Sequence, residues 1–99
     1  MAVIAHVVLF GVTKEQFNKV RDEAAYLERT PEGGLAHLTW WEGNDCHNVD
    51  AWESEDAFNQ FGADRLGPAM ARAGVNAQPE VTFHDAHEVF TPKELRLTN

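Results

Sequence analysis

MAVIAHVVLF, residues 1–10, decides the fold of this chain. Residues 2–10 are nearly continuous in apolar and β-branched side chains, which reads as a strand. Alternate side chains of a strand point to opposite faces. Val3, Ala5, Val7 and Leu9 form one row, and Ile4, His6, Val8 and Phe10 form the other. Both rows are apolar apart from one histidine, so both faces of this strand need cover. The stretch has no basic start, is too short to span a membrane, and precedes no small-residue cleavage site. It therefore reads as structure and not as a leader.

Working outward, Thr13-Lys14-Glu15-Gln16 is a capping-box pattern. Phe17, Val20, Ala24 and Leu27 follow at helical spacing, which predicts a helix from about 14 to 29, ending before Pro31 and Gly33-Gly34. Leu35 to Trp41 reads as a second strand, Gly43-Asn44-Asp45 as a turn, and Cys46 to Trp52 as a third strand. Ser54 is a helix N-cap, with Glu55 and Asp56 in the first turn and Ala57, Phe58 and Phe61 on the apolar face. Gly67-Pro68 should interrupt this helix, because proline lacks the amide donor, and a last segment should reach Arg72. Val81 to Phe90 reads as the fourth strand, and the tail after Pro92 has no partner in the pattern.

The order β-α-β-β-α-β is the ferredoxin-like arrangement of an α+β fold, a single domain over residues 1–99. Its antiparallel sheet should run 4-1-3-2 with both helices on one face. Two helices cover one face only. The cover expected for the other is the same face of a second copy, giving a homodimer closed into an α+β barrel around a pocket.

Composition narrows the partners. Sixteen acidic against eight basic residues give a net charge of −8, with no basic stripe to meet phosphates. Nucleic acid and anionic membrane are therefore not expected partners. The single cysteine, Cys46, excludes an internal disulfide and a thiolate metal cluster, and fits a reducing, cytoplasmic setting. Gly-rich phosphate loops, G-x-S-x-G and metalloprotease motifs do not occur.

VTFHDAHEVF, residues 81–90, gathers His84, Asp85 and His87. Residues three apart in a strand face opposite sides, so His84 and His87 do not converge on one metal there. Of Trp40-Trp41, one should enter the core and the other wall a pocket or an interface. His37 and His47 read as surface or hairpin residues.

AHVVLFGV at 5–12, VDAWESEDAFNQF at 49–61 and VFTP at 89–92 resemble the dimeric α+β barrel superfamily. That group holds the stress-responsive A/B barrel proteins, the antibiotic biosynthesis monooxygenases and some polyketide cyclases. The resemblance implies a homodimer whose helix-free sheet face lines a hydrophobic cavity, and catalysis without metal or prosthetic group on aromatic or polyketide-like compounds. It places His6 in that cavity. Cyclase-like members carry a second histidine after a Pro-Ala in the second helix. This chain has Pro68-Ala69-Met70 there, so the two-histidine arrangement does not carry over.

With Val49 and Ala51 under the helices, Asn48, Asp50 and Trp52 would face the cavity beside His6. Aligning VFTP with the family ending turns Phe83, Asp85, His87 and Val89 inward as well. His6, His87 and Asp50 are then the expected catalytic residues, with Phe10, Asn48, Trp52, Phe83, Asp85 and Val89 binding the ligand. A histidine beside a carboxylate in an apolar cavity suits general acid–base work. The expected activity is cyclisation, isomerisation or cofactor-free oxygenation of a small hydrophobic compound, with no cofactor and no metal. The alternatives are a non-catalytic carrier of such a compound, and a metal or haem protein using His6 and His87.

Overall fold

The structure, a computed structural model, describes residues 1–98. Strand β1 (Val3–Leu9) leads into α1 (Lys14–Ala24), the hairpin β2 (Gly34–Glu42) and β3 (Asp45–Trp52), α2 (Glu55–Phe61), a π-helical turn (Gly62–Leu66), α3 (Gly67–Arg72) and β4 (Glu80–Asp85). All pairings are antiparallel, and the sheet order is β2-β3-β1-β4. The ferredoxin-like α+β fold expected from the sequence is the fold observed.

β1 divides as its sequence implied. Val3, Ala5, Val7 and Leu9 are buried among the helices with Val20, Ala24, Phe58, Ala69 and Met70. Trp52 anchors this core, its ring 5.7 Å from Phe58 and 5.4 Å from Phe61. Such aromatic pairs add about 0.5–1.5 kcal/mol beyond area burial. Trp41 belongs to the same side, its indole N–H donating to the Val12 carbonyl at 2.8 Å. At the start of β2, Gly33 has φ 80°, and a Cβ there would lie 2.6 Å from the Ala57 Cβ. Only glycine lets β2 begin this close to α2.

Three elements differ from the sequence-based expectation. α1 forms the predicted capping box between Thr13 and Gln16, but it stops at Ala24 instead of running to 29. Ala25 adopts the left-handed conformation (φ 55°), which ends the helix and redirects Tyr26 toward the sheet. The helix interruption falls before Gly67-Pro68: the Gly67 amide bonds the Gly62 carbonyl, a π-turn that brings Pro68 to the first turn of α3, where it loses nothing. The π-turn also presents Arg65, whose guanidinium donates to the Ala24 and Arg29 carbonyls at 2.7 and 2.8 Å and so caps the end of α1. β4 ends at Asp85, five residues short of Phe90, after which one further bond joins the Ala86 amide to the Ala2 carbonyl at 3.0 Å.

Candidate functional site

Register settles which side chains share a face. His6 lies opposite Val49 and Thr82, while Val7 lies opposite Asn48 and Val81. Asn48, Asp50 and Trp52 therefore face the helices, not the helix-free face that holds His6. The expectation that Asp50 or Asn48 orients His6 is corrected: the sheet separates them. Phe83 also faces the helices, packed edge-on against Phe58 at 5.3 Å. Asp85, opposite Val3, is on that side too, exposed at the end of β4. His87 and Val89 lie beyond β4 and are exposed, and Phe10 is exposed in the turn after β1. None of these walls a cavity around His6.

Two polar groups emerge instead. The first lies on the helix side, where an apolar row is the usual content of a sheet. β2 and β3 place His37 opposite Asp50 and Thr39 opposite Asn48. His37 Nδ1 is 2.6 Å from Asp50 Oδ1, and the other Asp50 oxygen accepts the Trp52 indole N–H at 3.3 Å. His37 Nε2 meets Thr39 Oγ1 at 2.9 Å and the Tyr26 hydroxyl at 3.4 Å. Thr39 donates to Asn48 Oδ1 at 2.7 Å, and the Asn48 amide donates to the Val7 carbonyl at 3.3 Å.

Burial grades along this chain. Asn48 is 5% exposed, the Asp50 side chain 12%, and the His37 side chain 34%. The network thus runs from the core to an accessible imidazole on the edge strand. Asp50, an acceptor only, holds the proton of His37 on Nδ1 and leaves Nε2 as the working nitrogen. Burial pushes the Tyr26 phenol well above its ordinary range, so it stays a neutral hydroxyl, 3.4 Å from Nε2. Burial also raises the Cys46 thiol, against the lowering effect of the Asn48 hydrogen bond. Cys46 is fully buried and is not a nucleophile here.

The second group is on the helix-free face. His6 Nε2 is 3.1 Å from His47 Nδ1, and the Trp40 ring stacks against His47. Leu38 and Trp40 are exposed on this face at 63% and 38%. Among the described residues, no three His, Cys, Asp or Glu side chains are grouped to hold a metal. No described helix is long and apolar enough to cross a membrane.

Sequence reasoning missed His37 and His47. The signal was the hairpin: counting back from the Glu42–Asp45 pair across Gly43-Asn44 opposes Thr39 to Asn48 and His37 to Asp50.

Comparison with solved structures reaches the same architecture. SnoaB from Streptomyces nogalater, a cofactor-independent oxygenase, matches with TM-score 0.62 at 18% identity over 93% of this chain and 97% of that one. The monooxygenase ActVA-Orf6 of Streptomyces coelicolor, solved with nanaomycin D, matches with TM-score 0.60 at 20% identity over 93% of each chain. An antibiotic biosynthesis monooxygenase-like protein from Caulobacter crescentus gives TM-score 0.63 at 20% identity over 88% and 91%. The chain shares the ferredoxin-like α+β fold of these proteins. No family model and no curated protein matches it. A SnoaB variant with an asparagine replaced by alanine is also among the matching structures, with TM-score 0.60 at 20% identity over 93% and 97%.

Proposed function

We propose that this chain is a cytoplasmic oxygenase working without a prosthetic group on a hydroxylated polycyclic aromatic compound, with His37 as the proton-moving residue. The observation that carries this reading is the Asp50–His37 pair at 2.6 Å, buried at the carboxylate and accessible at the imidazole. A phenol or enol with an acidic ring CH₂ gives up a proton to His37 Nε2, and Asp50 stabilises the imidazolium that forms. The resulting carbanion is electron-rich enough to reduce dioxygen. The CH₂ becomes a carbonyl, one oxygen atom enters the product and the other leaves as water. Electrons balance with no external reductant, which is why such a reaction can proceed with protein side chains alone. Asn48 and Thr39 act as positioning residues: the Thr39 hydroxyl gives its proton to Asn48, which leaves the Thr39 oxygen to accept from Nε2–H once His37 has taken the substrate proton. SnoaB and ActVA-Orf6 supply the reaction class by likeness of fold.

The test is oxygen uptake against a panel of hydroxylated anthrones. Consumption of one O₂ per substrate, lost in His37→Ala, supports the assignment. Absence of uptake across the panel, or a fully active His37→Ala, overturns it.

The reading includes a homodimer formed through the helix-free face. Leu38 and Trp40 are exposed there, and the segment after β4 exposes Phe90, Leu95 and Leu97, apolar side chains that a second copy would cover. Light scattering should give twice the chain mass, and Leu38→Glu should halve it.

A second reading rests on a separate observation. A cleft of about 390 Å³ between β1–β4 and α2–α3 is lined by Val7, Phe58, Leu66, Met70, Val75 and Val81, with no acid or base among its lining residues. That cleft suits binding without turnover, as in a carrier. Recovery of a retained compound chemically unaltered would favour it.

A further inference from the structure

The helix-free face holds a group of side chains that the proposed oxygenation does not use. His6 on β1 lies opposite Val49, and His47 on β3 lies opposite Val8, so the two histidines are diagonal neighbours on one face. Their rings lie 5.3 Å apart at 29°, with His6 Nε2 and His47 Nδ1 only 3.1 Å from each other. Trp40 backs the pair, its ring 5.1 Å from His47 and 6.0 Å from His6.

The tautomer of His47 follows from its other nitrogen. His47 Nε2 faces Glu42 Oε2 at 3.7 Å, and the second oxygen of Glu42 accepts the Trp40 indole N–H at 3.2 Å. At this ion-pair distance, longer than a hydrogen bond, the carboxylate charge favours the proton on Nε2, which leaves His47 Nδ1 to accept from His6 Nε2–H. A small closure of the Glu42 side chain would give the carboxylate–histidine hydrogen bond found behind metal-ligating histidines.

We propose that His6 Nε2 and His47 Nδ1 form a chelating pair for a divalent transition-metal ion of the copper–zinc type. Two nitrogens each about 2.0–2.1 Å from one ion, at angles from square-planar to tetrahedral, lie about 2.9–3.4 Å apart. The separation of 3.1 Å is within that bite. On binding, the His6 proton moves to Nδ1 and the Nε2 lone pair replaces the N–H. With no third residue grouped to complete a site among the described residues, water or the same pair on a second copy completes the shell. Imidazole-only donation selects copper and zinc over magnesium and calcium, which require oxygen ligands.

The experiment is equilibrium dialysis of untagged, chelator-stripped protein against Cu²⁺ and Zn²⁺ separately, with electron paramagnetic resonance on the copper form. Uptake of one ion per chain or per two chains is expected, with hyperfine splitting from imidazole nitrogens. His6→Gln and His47→Gln should each weaken binding at least 100-fold, Glu42→Gln about tenfold, and His87→Ala not at all. No stoichiometric uptake, or uptake unchanged in both glutamine variants, overturns the proposal. Should those variants fail to fold, a wild-type copper spectrum without imidazole nitrogens overturns it alone.

Discussion

Part of the β2–β3 hairpin departs from the ordinary division of a half-covered sheet, which β1 obeys and in which apolar side chains lie under the helices and polar ones face water. Under the helices stand His37, Thr39, Asn48 and Asp50, joined by hydrogen bonds of 2.6–2.9 Å. On the helix-free face stand Leu38, Trp40 and Val49, around two histidines. Buried polar side chains cost about 1–3 kcal/mol each when left unbonded. The helix-side group is tolerable because each member has a partner, and because its far end, His37, reaches solvent. The helix-free group has the opposite problem, an apolar surface awaiting cover. On the proposed function, each face has its own chemistry: a proton relay beneath α1, and a binding surface on the other side.

The sharpest way to break this contrast is to remove one histidine from each face. His37→Ala should lower kcat/KM for aromatic oxygenation by about 10²–10⁴, the range for losing a positioned acid–base group. His6→Ala should leave it within about twofold. Oxygen-electrode kinetics on both variants decide the matter. Equal losses would mean that the catalytic chemistry does not belong to one face.

The next effect reports on burial. Both groups raised by burial, the Cys46 thiol and the Tyr26 phenol, are on the helix side. In the unfolded chain they ionise near their ordinary values of 9.0 and 10.0. Above those values the unfolded state releases protons that the folded state retains, so unfolding becomes easier. Stability should be unaffected by these groups below about pH 8 and should fall through pH 9–11, by at most about 1.4 kcal/mol per pH unit per group. Urea midpoints against pH would show it. Cys46→Ala and Tyr26→Phe should each flatten the decline, and a decline of undiminished slope in both would contradict the burial of this side.

Much of the architecture was legible because it depends on local signals. The two-sided apolar row of β1, the Thr13–Gln16 capping box and the Ser54 cap each act within a few residues. The site was less legible because it depends on pairing. Val49 and Ala51 look like a row for the helices, yet His6 opposes Val49, which turns both to the helix-free side. Family analogy supplied His6 but not the face of β3. Hairpin register carried that information, and it also opposes His37 to Asp50. The shorter β4 was hidden for another reason: Val89 and Phe90 read as strand residues, whereas the pairing reaches its end where Asp85 meets Val3, the first residue of β1.

The smallest effect concerns the residue that makes the helix-side group possible. Ala25 holds φ 55° at the end of α1, where a side chain with a Cβ pays about 1–2 kcal/mol. The Ala25 amide still bonds the Arg21 carbonyl at 2.8 Å, so the helix is complete up to this point and the turn is a genuine left-handed cap. Continuing the helix would have carried Tyr26 along its axis; the left-handed step turns it to His37 instead. Ala25→Gly should therefore stabilise the chain by about 1 kcal/mol, raising the urea midpoint with an unchanged slope. Activity should be retained, because glycine keeps the same turn. Ala25→Pro cannot adopt a positive φ, and it should lower both stability and oxygenation. A stabilised Ala25→Gly that lost activity would show that the strain itself holds Tyr26 against His37, and the role of the cap would shift from placing the phenol to pressing it there.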